Sequence, residues 1–275
     1  MITKELIGIL GSTYIITGAS SGIGRSLSYK LAKKNANLVL ASRNIDELKQ
    51  ITKKINASGG NALSIQTDIT NIDSCKALIA ETIDKFGQID YLILNAGLSM
   101  WSRLNEINDI THFEKLLDVN YTGAVNCVHS ALNELEKTKG SIIAITTAQA
   151  MIGFSKATAY SASKHALQGF LEGLDMEMQG RINIINVYLG WIKGTNLRAN
   201  AIGPDGKRIG NKHHKHSNKA VDLEDCTNRI INGITKRKKA IYVPYYLKFI
   251  PFAKLFLRNW LFNKISRTID SEERE

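Results

Sequence analysis

Cysteine is scarce in this 275-residue chain: Cys75, Cys127 and Cys226 form an odd set with no CxxC spacing. That argues against a disulfide framework and for a reducing compartment, here expected to be the cytoplasm. Three prolines and the lack of any low-complexity linker set aside collagen-like and disordered classes. No stretch near 20 residues is free of charge, so no spanning helix is predicted. A strand-like run at 13–17 begins where a cleaved signal would end, so none is expected. Acids are missing from one place in particular. Between Arg229 and Arg267 there are ten Lys or Arg and no Asp or Glu, against a whole-chain charge of +11. The rest is close to neutral, which describes a globule with a basic tail and excludes a uniformly basic nucleic-acid binder.

What the chain does have is alternation. Short apolar runs at 13–17, 38–41, 63–66, 91–94, 141–146, 183–188 and 240–243 alternate with helical patterns at 22–34, 44–57, 71–86, 109–136, 160–179 and 222–236. Such alternation predicts an α/β fold, a doubly wound parallel sheet of about seven strands with helices on both faces. The runs at 91–94 and 142–145 are continuously apolar, as expected of strands buried on both sides. No internal repeat is visible, and a single domain over 1–275 is the economical expectation.

The stretch Thr17-Gly-Ala-Ser-Ser-Gly-Ile-Gly24 lies between the first strand and the first helix. Gly18, Gly22 and Gly24 allow a tight turn and a close approach to a pyrophosphate, and the helix start offers free N–H groups to that anion. Ser20, Ser21 and Ile23 belong to the same candidate turn. An acid after the second strand would bind a ribose hydroxyl. Leu40-Ala-Ser-Arg43 has none, and the Arg43 guanidinium suits a 2′-phosphate. NADP(H) is therefore expected in preference to NAD(H).

With the turn, Asp68-Ile69, Asn95-Ala-Gly97, Asn120 and Tyr160-Ser-Ala-Ser-Lys164 in this order and spacing, the sequence resembles the short-chain dehydrogenase/reductase family from residue 12 to about 245. The stretch 195–210 looks like the branch that contains 11β-hydroxysteroid dehydrogenases and membrane-associated dehydrogenase/reductases. The resemblance implies a Rossmann-type fold and an NADP(H)-dependent enzyme acting on a carbonyl or secondary alcohol. It implies catalytic roles for Asn120, Thr147, Tyr160 and Lys164. Asp68 would bond the adenine amino group, Asn95, Ala96 and Gly97 would leave room for the adenine ribose, and Ile192 and Thr195 would reach the carboxamide. Tyr160 and Lys164, at i and i+4, share a helix face, and the ammonium is expected to favour the phenolate. Asn120 would hold a water that links Lys164 to solvent. Three positions depart from the family pattern: Thr147 replaces serine, Leu189-Gly190 replaces Pro-Gly, and the segment at 193–195 is one residue longer. A homo-oligomer is implied as well.

The segment 196–220, rich in Gly, Asn, Lys and His, reads as a substrate loop. His213, His214 and His216 lack a nearby acid or cysteine, so no metal is assigned. The segment 245–267 carries Tyr245, Tyr246, Phe249, Phe252, Phe256, Trp260 and Phe262 interleaved with Lys248, Lys254, Arg258 and Lys264. Phe252, Phe256 and Trp260 are expected on one helical stripe. Region 236–267 thus allows peripheral contact with a membrane surface, or packing over the pocket or a second subunit. The expected function is hydride transfer between nicotinamide and a carbonyl or alcohol of a lipophilic substrate such as a steroid, retinoid or ketolipid. The alternatives are a non-catalytic NADP(H)-binding regulatory or scaffold protein at membranes, or a cofactor-retaining epimerase or dehydratase.

Overall fold

Apolar runs long enough to cross a sheet, each followed by a helix, leave the chain few ways to bury both, and it takes the parallel one. The computed structural model describes residues 9–210 and 220–274, with side chains to Ile269. The elements are β1 (Thr13–Thr17), α1 (Gly22–Ala32), β2 (Asn37–Ser42), α2 (Ile45–Ala57), β3 (Asn61–Gln66), α3 (Ile72–Phe86) and β4 (Tyr91–Leu94). Next come α4 (Thr111–Leu117), α5 (Gly123–Thr138), β5 (Ser141–Thr147), α6 (Thr158–Met178) and β6 (Asn183–Leu189). Two-residue strands β7 (Ile192–Lys193) and β8 (Val221–Asp222) pair with each other, followed by α7 (Leu223–Thr235) and β9 (Ala240–Val243). The chain closes with α8 (Ile250–Phe256) and α9 (Arg258–Arg274).

The main sheet has the order β3-β2-β1-β4-β5-β6-β9, with every pair parallel. The order reverses between β1 and β4, which opens a crevice at the carboxyl ends of those strands, where such sheets bind ligands. One face is covered by α1, α2 and α7, with Leu27, Leu48 and Ile230 packed on Ile16, Leu40 and Val187. The other lies under α3, α5 and α6, with Leu78, Val128 and Leu171 on Val39, Leu92 and Ile142. Strands apolar on both sides are what this double cover requires.

Helix starts explain the local folding. Asn44 caps α2 by accepting from Glu47 N at 3.2 Å, and Asn71 caps α3 by accepting from Asp73 N and Ser74 N at 2.8 and 3.1 Å. Gly87, at φ +75°, closes α3 by donating to Ile83 O at 2.8 Å. α1 is different: Ser21 at its N-cap makes no side-chain hydrogen bond, and its first turn holds no acid.

Two expectations need correction. The helix expected over 109–136 is two helices, α4 and α5, joined by a π-helical turn at Asp118–Thr122 that contains Asn120. The aromatic stripe is broken, because Leu257 interrupts the helix and places Phe252 and Phe256 on α8 but Trp260 on α9. The described part of the 196–220 segment is a loop, in which Ile202 bridges to Met100 and Arg208. His213, His214 and His216 lie outside the described residues. The basic run Lys236–Lys239 precedes β9 and the aromatic segment follows it, so the strand's length, about 13 Å, separates them. Lys239 pairs with Asp175 at 2.8 Å and an Arg237 N–H donates to Lys139 O at 3.1 Å.

Candidate functional site

The site is assembled where β1, β4 and β5 end side by side. The Thr17 hydroxyl donates to Ile93 O at 3.1 Å and accepts from Asn95 N and Ala96 N at 3.0 and 3.1 Å. The Asn95 amide reaches back across the crevice and donates to Thr17 O and Gly18 O at 2.9 and 3.1 Å. These bonds draw two backbones together so closely that side chains have no room. A Cβ on Gly18, which sits at φ +65°, would lie 2.8 Å from Ala96 Cα, and one on Gly24 would lie 2.6 Å from Gly18 O. Asn95 thus acts on the glycine turn as a strut; the sequence had placed it beside a ribose.

The turn leads to the uncapped, acid-free start of α1, whose free N–H groups and positive dipole end fit an anion such as a pyrophosphate. Ser20 and Ser21 lie at least partly open on this turn, and Ile23 packs inward on the core. Thr195 stands over the turn, its Cβ 3.9 Å from where a Gly22 Cβ would be, and its hydroxyl donates to Ile192 O at 3.2 Å. Thr195 therefore borders the crevice, while Ile192 packs against the core.

At the next strand ends, Arg43 is exposed after β2 and Asp68 is half-buried after β3. Asp68 is held below the usual carboxylate range, first by the hydrogen bond from the Thr70 hydroxyl at 2.8 Å and further by the Arg43 charge. Arg43 and Asp68 thus form one oppositely charged rim. Ile69 turns away from it, wedged against α5 so that a Cβ on Gly123 would lie 2.7 Å from it. Ile69 supports the wall from behind.

Ala96 and Gly97 join the two halves of the site. Ala96 touches the glycine turn, and a Cβ on Gly97 would lie 3.1 Å from Asn120 Oδ1 and 3.7 Å from Lys164 Nζ. Tyr160 and Lys164 stand one turn apart on α6, with the ammonium 5.9 Å from the phenol ring centre. Both are buried, at 6% and 4% exposure. Lys164 Nζ donates to Ile145 O at 3.4 Å. The Tyr160 hydroxyl has no hydrogen-bond partner among the described residues, yet it is not sealed off. Burial sets the acidities. It pushes the Tyr160 phenol above its ordinary value and brings the Lys164 ammonium down to about 8. For the protein without a dinucleotide, desolvation is the cause of the raised Tyr160 value.

Asn120 is 1% exposed and fully engaged, donating to Leu98 O and Ser163 Oγ at 2.9 Å each and accepting from Leu98 N at 2.8 Å. It clamps the segment after β4 to α6, which makes its side chain a brace. Ser163, within the Tyr-Ser-Ala-Ser-Lys run, is its anchor. The sequence contained that serine but nothing in it marked the partner. Thr147 ends β5, where its hydroxyl accepts from Gln149 N at 3.4 Å and keeps its proton free to donate. Tyr160 also belongs to an apolar cluster with Met100, Leu116, Ala157, Ala159 and Ile202. The described part of the loop therefore walls the tyrosine.

The aromatic segment contacts the turn that follows β5. Lys254 Nζ donates to Met151 O at 2.8 Å, and a cleft of about 650 Å³ runs between Met151, Gln168, Tyr188, Tyr242 and Leu255. Tyr245, Phe249, Phe252, Phe256 and Trp260 are all more than half exposed. No helix of the described residues is long and apolar enough to cross a membrane.

Comparison with known proteins places these features in company. The sequence profile of a family described as short chain dehydrogenase matches residues 12–203. The 11-beta-hydroxysteroid dehydrogenase-like 2 of Arabidopsis thaliana is 33% identical over 243 residues, covering 88% of this chain and 76% of its own. The 11-beta-hydroxysteroid dehydrogenase 1A of the same plant is 29% identical over 245 residues, covering 87% and 70%. Among solved structures, a short chain dehydrogenase from Burkholderia cenocepacia J2315 in complex with NADP superposes with a TM-score of 0.77 at 21% identity, covering 94% of this chain and 98% of the other. A short chain dehydrogenase/reductase from Burkholderia phymatum in complex with NAD gives 0.75 at 20% identity, covering 91% and 96%. At such identities these two structures speak to the fold, a Rossmann-type sheet.

The Lys164 shift has a consequence for stability. Between its lowered value of about 8 and the ordinary 10.5, the unfolded chain binds more protons than the folded one. The penalty for burying this amine is therefore full below pH 8 and fades as pH rises through that window. Without added dinucleotide, Lys164→Met is expected to unfold at a higher temperature than wild type at pH 7, by about 1–3 kcal/mol, with the gap closing toward pH 10. Thermal denaturation at both pH values measures it, and a variant less stable at pH 7 contradicts the assigned penalty.

Proposed function

The chain belongs to the short-chain dehydrogenase family of oxidoreductases, and from that premise we propose an NADP(H)-dependent enzyme that interconverts a carbonyl and a secondary alcohol on a lipophilic small molecule. One observation carries the reading: a buried phenol with an open hydroxyl, one helical turn from a buried amine, joined to the glycine turn through Ala96 and Gly97. When bound, the dinucleotide supplies or takes up the hydride. The glycine turn and the start of α1 would hold its pyrophosphate, and Thr195 and Ile192 would border its carboxamide. Arg43 would meet a 2′-phosphate through charge-assisted hydrogen bonds, while Asp68, with one oxygen occupied by Thr70, would accept from the adenine amino group.

In this reading Thr147 donates its free hydroxyl proton to the substrate oxygen and holds it beside Tyr160. Tyr160 gives its proton to that oxygen as negative charge develops. Lys164 then stabilises the phenolate left behind and restores the proton. NADPH as the cofactor would favour reduction of the carbonyl as the working direction. Asn120 holds α6 at its distance from β4. The extra methyl of Thr147, relative to the serine usual in the family, stiffens its χ1 and narrows the space beside the reacting oxygen. Apolar walls from Met100, Ile202 and Phe154 support a hydrophobic substrate.

The segment 245–264 would rest on an anionic membrane surface. Its large apolar side chains are exposed, and Lys248, Arg258 and Lys264 lie over the rings of Phe249, Phe262 and Trp260. Aromatic bodies with cationic neighbours suit the headgroup layer. The run 236–239 takes no part, lying at the far end of β9.

Tyr160→Phe is expected to cut carbonyl reduction roughly 10²–10⁴-fold while NADPH binding, read by fluorescence, stays intact. Retained turnover would remove Tyr160 from the chemistry, and failure of wild type on a broad carbonyl panel would favour a purely binding role. Arg43→Ser is expected to weaken NADPH affinity about tenfold or more and leave NADH affinity unchanged, as measured by titration. Wild type is expected to cosediment with phosphatidylserine-containing vesicles in a salt-dependent manner. The Phe252→Ser/Phe256→Ser/Trp260→Ser variant should stay in the supernatant with its activity toward a soluble ketone unchanged.

A further inference from the structure

Gln149 is left unused by the chemistry above, yet it is tied to both sides of it. It lies in the short 3-10 turn Ala148–Ala150 directly after β5 and is 9% exposed. Its backbone N–H donates to the Thr147 hydroxyl at 3.4 Å. Its side-chain Oε1 accepts from the hydroxyl of Ser161, the residue after Tyr160, at 3.1 Å. Ser161 in turn accepts from Phe154 N at 3.4 Å, so its own proton is directed at Oε1 and the orientation of the amide is set.

That arrangement commits one end of the amide and leaves the other free. Nε2, with two N–H donors, has no partner among the described residues. The atom is not sealed from solvent, although the residue as a whole is 9% exposed. The Tyr160 hydroxyl has the same two properties. Tyr160 belongs to the Met100–Ile202 apolar cluster, and Gln149 is tied to that cluster's edge through Ser161, which accepts from the N–H of Phe154 packed on it. A buried donor without a partner costs stability, about 1–3 kcal/mol, and ligand sites are where such donors find their acceptors.

Resting on the oxidoreductase reading, we propose that Gln149 determines specificity by donating from Nε2 to a second oxygen of the substrate, distinct from the reacting carbonyl. The preferred substrate is then bifunctional: an apolar skeleton bearing the reducible ketone and a further carbonyl or hydroxyl. A compound without the second oxygen leaves the Gln149 amide desolvated and unmatched, which penalises it.

The test uses NADPH with decalones and the corresponding hydroxydecalones and decalindiones, comparing kcat/KM within each matched pair. Wild type is expected to favour at least one bifunctional member by about tenfold or more, chiefly through KM. Gln149→Met, which keeps the backbone N–H to Thr147 and the side-chain length, is expected to abolish that preference while its kcat on the monoketone stays near wild type. Ser161→Ala, which releases the amide, is expected to reduce the preference in part. Wild type that turns over both classes without discrimination overturns the Gln149 assignment and leaves the oxidoreductase reading standing. The assignment also falls if Gln149→Met keeps the preference. Wild type that reduces no ketone removes the reading and the assignment together.

Discussion

Close approach of two backbones at the ends of β1 and β4 governs the rest of this molecule. The Thr17 hydroxyl and the Asn95 amide bridge the crevice in both directions, and the gap they set admits no Cβ on Gly18 or Gly24. From there the geometry propagates by contact. Ala96 rests on the turn, Gly97 leaves space for Asn120 and Lys164, and Asn120 fastens α6 through Ser163. A side chain at Gly18, Gly24 or Gly97 would push apart the glycine turn and the phenol–amine pair. The site is thus a consequence of how tightly a parallel sheet can close at its switch point.

The same closeness carries a cost. Lys164 is a cation in a low-dielectric setting, answered by one carbonyl at 3.4 Å, and Tyr160 has no partner for its hydroxyl among the described residues. A protein shaped for stability alone would fill such positions with hydrophobic groups. Here buried polar ends are kept at Tyr160 and Lys164 on α6 and at Gln149 after β5, a departure from a core built for stability alone. Outside this crevice the cores are conventional, aliphatic on both faces of the sheet.

Sequence reading succeeded where a signal repeats locally. Runs such as Tyr91–Leu94 declare strands through continuous apolarity, and Gly18 through Gly24 declare a turn through backbone freedom. The i, i+4 pair Tyr160 and Lys164 declares a shared face. It did less well where the outcome depends on a partner far along the chain. Nothing near Asn120 says that its amide is consumed by Leu98 and Ser163, and nothing near Asn95 says that it braces a turn 77 residues earlier. The π-turn at Asp118–Thr122 was read as continuous helix because its apolar periodicity barely changes.

By itself, then, the order of residues determined the parallel sheet, the position of the glycine turn and the phenol and amine that share a helix face. Each rests on periodicity, glycine freedom or helical spacing, which act over a few neighbours. Only the tertiary structure decided how acidic those groups are, which polar atoms stay open beside them, and that the aromatic segment faces outward while the basic run before β9 does not join it. Burial and distance between remote segments control all three, and neither is written in any local stretch of sequence.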